Sequence, residues 1–504
     1  MRRGRRLREI HKQTASAASE STKVAFRRWL PWLLFAAVLT LRLFYVSLFA
    51  SNTPFWDQWD AEADRLLRPW VEGNWGIHDL FAAHNEHRIA VTRLLSLALF
   101  SLNDQHWDNL VEAYANAAVF AAMIAMFYAF LCAGESVRWI SGAMFASVLV
   151  IAALPFGWEN FLVGFQNQFY FMAILAIAMV GIVALRSPDR TSLLLLTVLG
   201  IAGLFTMASG LLAPVAAMAV VVLRNLREPL RPIVLLAFAI FLGGVCVAGL
   251  LILPDVPPHA VFKAHGVGEH LAALATTSMW PWQPLDPSST HWRFYWRAGL
   301  ALAIWAPSGL WAVRFAHRRV ASNNELFAAG IAFWVALQIL AIAHSRGHEI
   351  VAVTSRYTEI LALGVLINLW FVLRLLAGSP QAAARGRNVL VAGAYCAFVA
   401  VALVRRTPAD LHAMVERSQA TRVQTQNVQA YVASGDVRNL QKPFFQLPYP
   451  DAERLRSLLD NPTIRAMLPV SIKATPAGGT PASTGPLSIA ALRLQRAIRP
   501  QSSG

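Results

Sequence analysis

The chain has 504 residues, of which 56% are hydrophobic and 14% charged, with a formal net charge of +16. Soluble domains carry about a quarter charged residues, and here the apolar residues come in runs near 20 long, the thickness of a bilayer. A soluble enzyme is excluded, as is a β-barrel, because no period-two alternation runs through the chain. The expected fold is therefore an all-α polytopic membrane helix bundle. The basic residues sit between the apolar runs, which is a signature of membrane topology, so no nucleic-acid partner is expected. Cys132, Cys246 and Cys396 lie in or beside apolar runs and offer neither a disulfide framework nor a zinc motif.

Residues 1–28 read as a basic cytosolic arm without the h-region of a signal peptide. Membrane spans are expected near 29–50, 111–132, 139–156, 168–186, 191–206, 209–223, 231–253, 296–315, 326–344, 358–377 and 388–404. The stretch 88–100 is apolar on one side but carries two arginines, and reads as an interfacial amphipathic helix. With the N-terminus inside, every short cytosolic loop contains arginine. Eleven spans and an extracytoplasmic C-terminus satisfy that pattern. Three segments are then outside: a first loop over 51–110, a second over 254–295, and a small C-terminal segment over 406–470. The end of the chain, 471–504, is low in complexity and expected to be disordered.

Polar side chains concentrate on the outer side, where ionisable groups at span ends need partners and so mark sites. In "PFWDQWDAEAD" (54–64), Asp57, Asp60 and Asp64 share one face if the stretch is helical. One reading makes Asp57 an N-cap and leaves Trp56 and Trp59 as interface anchors. The other makes Asp57 a general base, with Asp60 orienting it or holding a divalent cation such as Mg²⁺ or Mn²⁺. Asp64 is expected to pair with Arg65 or face solvent. In "HNEHR", His84 and His87 have a spacing that binds metal on a helix, with Glu86 between them, but a third protein ligand is wanting. The stronger reading puts His84 and Arg88 on one helix face as donors to phosphate or sugar hydroxyls; a solvated loop is its rival. "GWENFLVGFQNQF" supplies Trp158, Glu159, Asn160 and Gln166, a stacking face and amide donors beside a carboxylate. "HSRGHEIVAVTSRYTE" holds Arg346, His348 and Arg356, cations on the side where they are not expected. Arg356, with Tyr357 beside it, can clamp a phosphate at headgroup depth, or snorkel to lipid phosphate. Lys263, His265 and His270 are further donors in the second outer segment.

This constellation resembles the GT-C superfamily of integral-membrane glycosyltransferases. The resemblance covers the architecture over about 30–405. It implies an enzyme of the bacterial cytoplasmic (inner) membrane that moves a sugar from a polyprenyl-phosphate-linked donor to a glycan, lipid or protein acceptor. By that resemblance Asp57 matches the first-loop acid, Glu159 a second-loop acid, and Arg356 with Tyr357 a late phosphate-contacting position. Asp57 and Asp60 depart from the adjacent acidic pair of many members, since Gln58 and Trp59 separate them. Two rivals are an O-antigen-ligase-like transferase, which needs no first-loop acid, and a transporter or scaffold subunit. Transport would need polar residues along the span centres, which read as nearly free of charge. The transferase reading requires Asp57, Glu159 and Arg356 to come together on one outward face.

Overall fold

The computed structural model describes residues 28–283, 292–348, 350–378 and 382–473. The basic arm and the low-complexity tail lie outside the described residues, except for Arg28 and 471–473. Among the described residues the secondary structure is helical, apart from one isolated bridge between His84 and His87. The chain is a multi-pass helical membrane bundle. Among the described residues, nine helices are long and apolar enough to cross a bilayer: Arg28–Phe49, Asn109–Leu131, Gly164–Leu185, Ala208–Arg227, Pro232–Ile252, Phe294–Arg318, Asn323–Ser345, Ser355–Ala377 and Gly386–Ser434. A tenth crossing is the pair Arg138–Ala153 and Pro155–Leu162, bent by 43°. Pro155 sets that break, because it offers no N–H to the helix and disfavours helical backbone at Leu154.

The remaining apolar run forms Arg190–Leu204, a helix of 15 residues. At about 1.5 Å per residue it spans roughly 22 Å, less than a bilayer core of about 30 Å. Its start is fixed by Asp189, whose carboxylate accepts the Ser192 N–H at 2.7 Å. Asp108 caps Asn109–Leu131 in the same way, at 2.8 Å from the Leu110 nitrogen, and Ser322 with Glu325 forms a reciprocal capping box at the start of Asn323–Ser345.

Two cores hold the molecule. The larger lies among the spans and is filled by such side chains as Phe127, Tyr170, Trp334 and Trp370. The smaller is built from the first long loop and the C-terminal residues: Trp59, Leu66, Leu67 and Trp107 pack with Tyr431, Leu447, Leu455, Leu459 and Ile464. The last span does not stop where its apolar run ends near 404. Its helix continues unbroken through Pro408 to Ser434, and the following short helices fold back onto the first loop. The face carrying that loop is called the loop face below.

Candidate active site

The first loop opens with Trp56 in a left-handed conformation (φ 49°). Its N–H donates to the Pro448 carbonyl at 2.8 Å. Asp57 then begins a helix that runs as a π-helix over Trp59–Leu67. The wider π turn decides which carboxylates share a face. Asp60 and Asp64 point together at Arg454, which bonds Asp60 Oδ1 at 2.8 Å and Asp64 Oδ2 at 2.7 Å. Tyr449 donates to the other Asp60 oxygen. Asp57 points elsewhere, so the three carboxylates do not share one face. Asp60 is a tie to the C-terminal segment rather than a companion of Asp57. Asp64 pairs with Arg68 and Arg454, not with Arg65.

Asp57 lies 3.7 Å from Nε2 of His84, too long for a direct hydrogen bond, and its side chain is 48% exposed. Burial opposes its ionisation, but the neighbouring His84 imidazole and the Arg356 guanidinium outweigh that and hold its carboxyl below the ordinary carboxylate range. Trp56, 42% exposed, stacks on Phe55 beside it. This leaves an ionised carboxylate, an aromatic face and a guanidinium around one half-open spot.

"HNEHR" is not helical, which corrects the expected shared face of His84 and Arg88. His84 and His87 exchange two backbone hydrogen bonds, at 2.8 and 2.9 Å, around Asn85 in the left-handed region. The four residues therefore form a tight turn whose side chains diverge. His84 goes to Asp57 and packs edge-on against Phe165. Arg88 donates to the carbonyls of Ile252 and Phe81, at 3.0 and 2.8 Å. Nδ1 of His87 accepts the Ala208 N–H at 3.1 Å, at the turn that follows the short helix Arg190–Leu204. Burial pushes the His87 imidazole down to about 4, so it is neutral, with its proton on Nε2. Glu86 bonds His259 Nδ1 at 2.6 Å and the Arg346 guanidinium at 3.2 Å. Partial burial works against its charge, yet His259 and Arg346 bring its carboxyl down to about 2. Arg346 also lies over the Phe262 ring, and His348 meets Glu269 at 2.9 Å. Arg346 and His348 thus have partners of their own.

Glu159, Asn160 and Arg356 do come together. Oε2 of Glu159 accepts the backbone N–H of Arg356 at 3.0 Å, and the Glu159 N–H donates to Ser355 Oγ at 3.0 Å. Glu159 therefore caps the helix Ser355–Ala377 from a neighbouring element. Asn160 is fully buried and donates to the Arg356 carbonyl and to Glu359, both at 2.9 Å. Gly157 makes this approach feasible, since a Cβ there would fall 2.3 Å from the Glu359 side chain. Trp158 packs against the small cluster around Phe161 and Met414, and Gln166 sits in the turn Gly164–Gln166. The Arg356 guanidinium lies over Tyr357, 5.3 Å from its ring centre, and Tyr357 is edge-on to Phe169.

Four partners lie beyond reach of the sequence. Arg417, on the last helix, stacks over Phe55 at 3.5 Å, bringing a second guanidinium close to the Asp57 stretch. Arg454 and Tyr449 have been described. Inside the spans, Arg42 pairs with Glu359 at 2.8 Å, both buried, so the span interiors carry more charge than a scan of apolar runs suggests. Beneath Asp57, Gln58 donates to Glu62 and Glu112, at 3.1 and 2.9 Å, in a buried network completed by Ser96 and Trp107. The arrangement can orient one ionised carboxylate against a ligand whose anionic group rests near Arg356.

No protein-family model matches the chain, and no curated protein matches it. Among solved structures it is similar to the archaeal oligosaccharyltransferase AglB from Archaeoglobus fulgidus, a complex with an inhibitory peptide and a dolichol-phosphate, at a TM-score of 0.44 and 12% identity. The likeness covers 90% of this chain and 62% of that one.

Proposed function

We propose that this protein is an integral-membrane glycosyltransferase of the GT-C kind. It takes a sugar from a polyprenyl-phosphate-linked donor and passes it to a glycan, lipid or protein acceptor. The loop face is extracytoplasmic, and the chain resides in a bacterial cytoplasmic membrane. The observation that carries the reading is the half-exposed, ionised Asp57 placed beside His84 and within the field of the Arg356 guanidinium.

In this mechanism Asp57 takes the proton of an acceptor hydroxyl as its oxygen attacks the anomeric carbon. The bond from that carbon to the lipid phosphate breaks, and the phosphate leaves with its charge against the Arg356 guanidinium. Stabilising the charge that develops on a leaving group commonly supplies a large share of the rate enhancement. His84 stands beside Asp57 at 3.7 Å, and Trp56 offers a stacking face to a sugar ring. Glu159 acts by fixing the start of the helix that bears Arg356. An apolar groove of about 800 Å³ between the helices Ala208–Arg227, Phe294–Arg318 and Asn323–Ser345, lined by Val222, Trp305, Phe333 and Leu340 among others, gives a prenyl chain somewhere to lie.

The test is transfer by the purified chain from polyprenyl-phosphate sugars of a bacterial membrane extract, read as release of the lipid phosphate. Asp57→Asn should lower release about 10²- to 10⁴-fold. If that variant works at the wild-type rate, Asp57 is not the base, and the ligase-like alternative, which needs no first-loop acid, takes its place.

A further inference from the structure

Away from Asp57, the loop face gathers a second set of side chains suited to a different ligand. The residues are His265, just before the helix Val267–Ser278; Glu269, in its first turn; and His348, after the helix Asn323–Ser345. Their ligand atoms all lie within 4.8 Å of one another. Nδ1 of His348 is 2.9 Å from Glu269 Oε1, and the two imidazole rings face each other at 4.2 Å and 31°. The His348 imidazole thus meets the carboxylate directly, and the His265 ring stacks beside it within 4.8 Å.

The backbone holds this arrangement ready. The N–H of His348 donates to the Phe262 carbonyl at 3.1 Å, and that of Ala264 to the His344 carbonyl at 3.3 Å. The His265 N–H donates to Glu269 Oε2 at 2.5 Å, which fixes the carboxylate. Gly347 lets the two segments close, since a Cβ there would stand 2.0 Å from the Ala343 carbonyl oxygen and 3.0 Å from the Ala264 side chain. Glu269 and His348 are 28% and 34% exposed, and His265 is exposed, so the site is open to solvent.

We infer that His265, Glu269 and His348 form a site for a zinc-like divalent transition-metal ion. Two imidazoles and one carboxylate, with the fourth position left to water, match zinc donor chemistry. Magnesium and calcium prefer all-oxygen shells and are disfavoured here. Tetrahedral zinc bonds of about 2.0–2.1 Å put ligand atoms roughly 3.3 Å apart. The Glu269–His348 separation is already near that value, so closure needs a small movement of the exposed His265. The ion staples the second loop-face segment to the stretch that carries Arg346, and through Arg346 to Glu86 in the "HNEHR" turn. This site is independent of glycosyl transfer and stands whether or not that reading does.

The experiment uses the full, untagged chain in detergent, stripped with chelator. Zinc titration followed by calorimetry should give one equivalent, not displaced by millimolar Mg²⁺. Cobalt(II) in its place should give the intense visible bands of a four-coordinate site. His348→Ala and Glu269→Gln should each weaken binding at least 30-fold. His265→Ala, at an exposed position, should weaken it at least 10-fold, and it decides the matter if His348→Ala yields no monodisperse protein. Zinc affinity unchanged in His265→Ala, or absence of a one-equivalent site in the wild type, overturns the inference.

Discussion

The helix that opens the first loop has two sides, and they differ in how their carboxylates are used. On one side Asp60 and Asp64 are consumed by Arg454, Tyr449 and Arg68 at hydrogen-bond distance. On the other, Asp57 has only the His84 imidazole near it, at 3.7 Å, and is half open to solvent. Residues three apart in one acidic stretch thus do different work. The satisfied pair fastens the C-terminal segment to the loop, and the loosely held carboxylate is left half open to solvent. Ionised groups that are fully bonded stabilise a fold; those left with spare capacity at a surface are where chemistry is sought.

Substitution should separate the two sides. Asp57→Asn is expected to lower transfer about 10²- to 10⁴-fold, the range for loss of a general base, while the thermal midpoint of the purified protein stays unchanged. A large drop in that midpoint would put Asp57 on the structural side with its neighbours. Arg356→Gln should cost about 10²-fold in turnover, as for removal of a group that stabilises developing charge, with less effect on the binding of donor lipid. Equal losses in both would show a binding contact only.

The third expectation concerns pH. His87 is held neutral down to about 4, whereas an unfolded histidine takes up its proton near 6.5. Between those values the unfolded chain binds a proton that the folded one does not. Stability therefore falls as pH drops from about 6.5 to about 4, by at most roughly 3 kcal/mol. His87→Asn, which keeps an acceptor for the Ala208 N–H, should flatten that part of the profile in a pH series of melting curves. The smallest effect is expected from Arg454→Met. Loss of its partly exposed bonds should cost about 1–2 kcal/mol and expose the C-terminal segment to limited proteolysis, with transfer per folded molecule nearly unchanged.

The bundle is legible in the sequence because bilayer thickness writes itself into apolar runs, and all eleven runs are helices. What the runs do not convey is where the last helix ends. Beyond residue 404 its composition turns polar, yet it continues because its outer part packs on the first loop through Val428 and Tyr431. The site is legible in its residue types and less so in its geometry. Asp57, Glu159 and Arg356 stand out as groups lacking an evident partner near span ends. Asp60 misleads because its partners, Tyr449 and Arg454, lie almost 400 residues away in the chain. The "HNEHR" turn misleads because its spacing fits a helix, while Asn85 reverses the chain. The Arg42–Glu359 pair joins the first span to the helix Ser355–Ala377, a pairing that local pattern cannot reveal.

The last helix has a mechanical consequence. Its 53 residues trace a path of about 80 Å at 1.5 Å per residue, against a bilayer core of about 30 Å. It is a mast stepped in the membrane and rigged to the first loop at its head, where Thr425 bonds Thr53 and the segment after it holds Trp56 and Asp60. The height of Asp57 above the lipid is therefore set by a strut as well as by the short chain that links it to the first span. Inserting or deleting a full helical turn in the mast would strain every one of those fastenings at once. The position of Asp57 relative to the membrane-spanning helices is thereby a built dimension of the molecule.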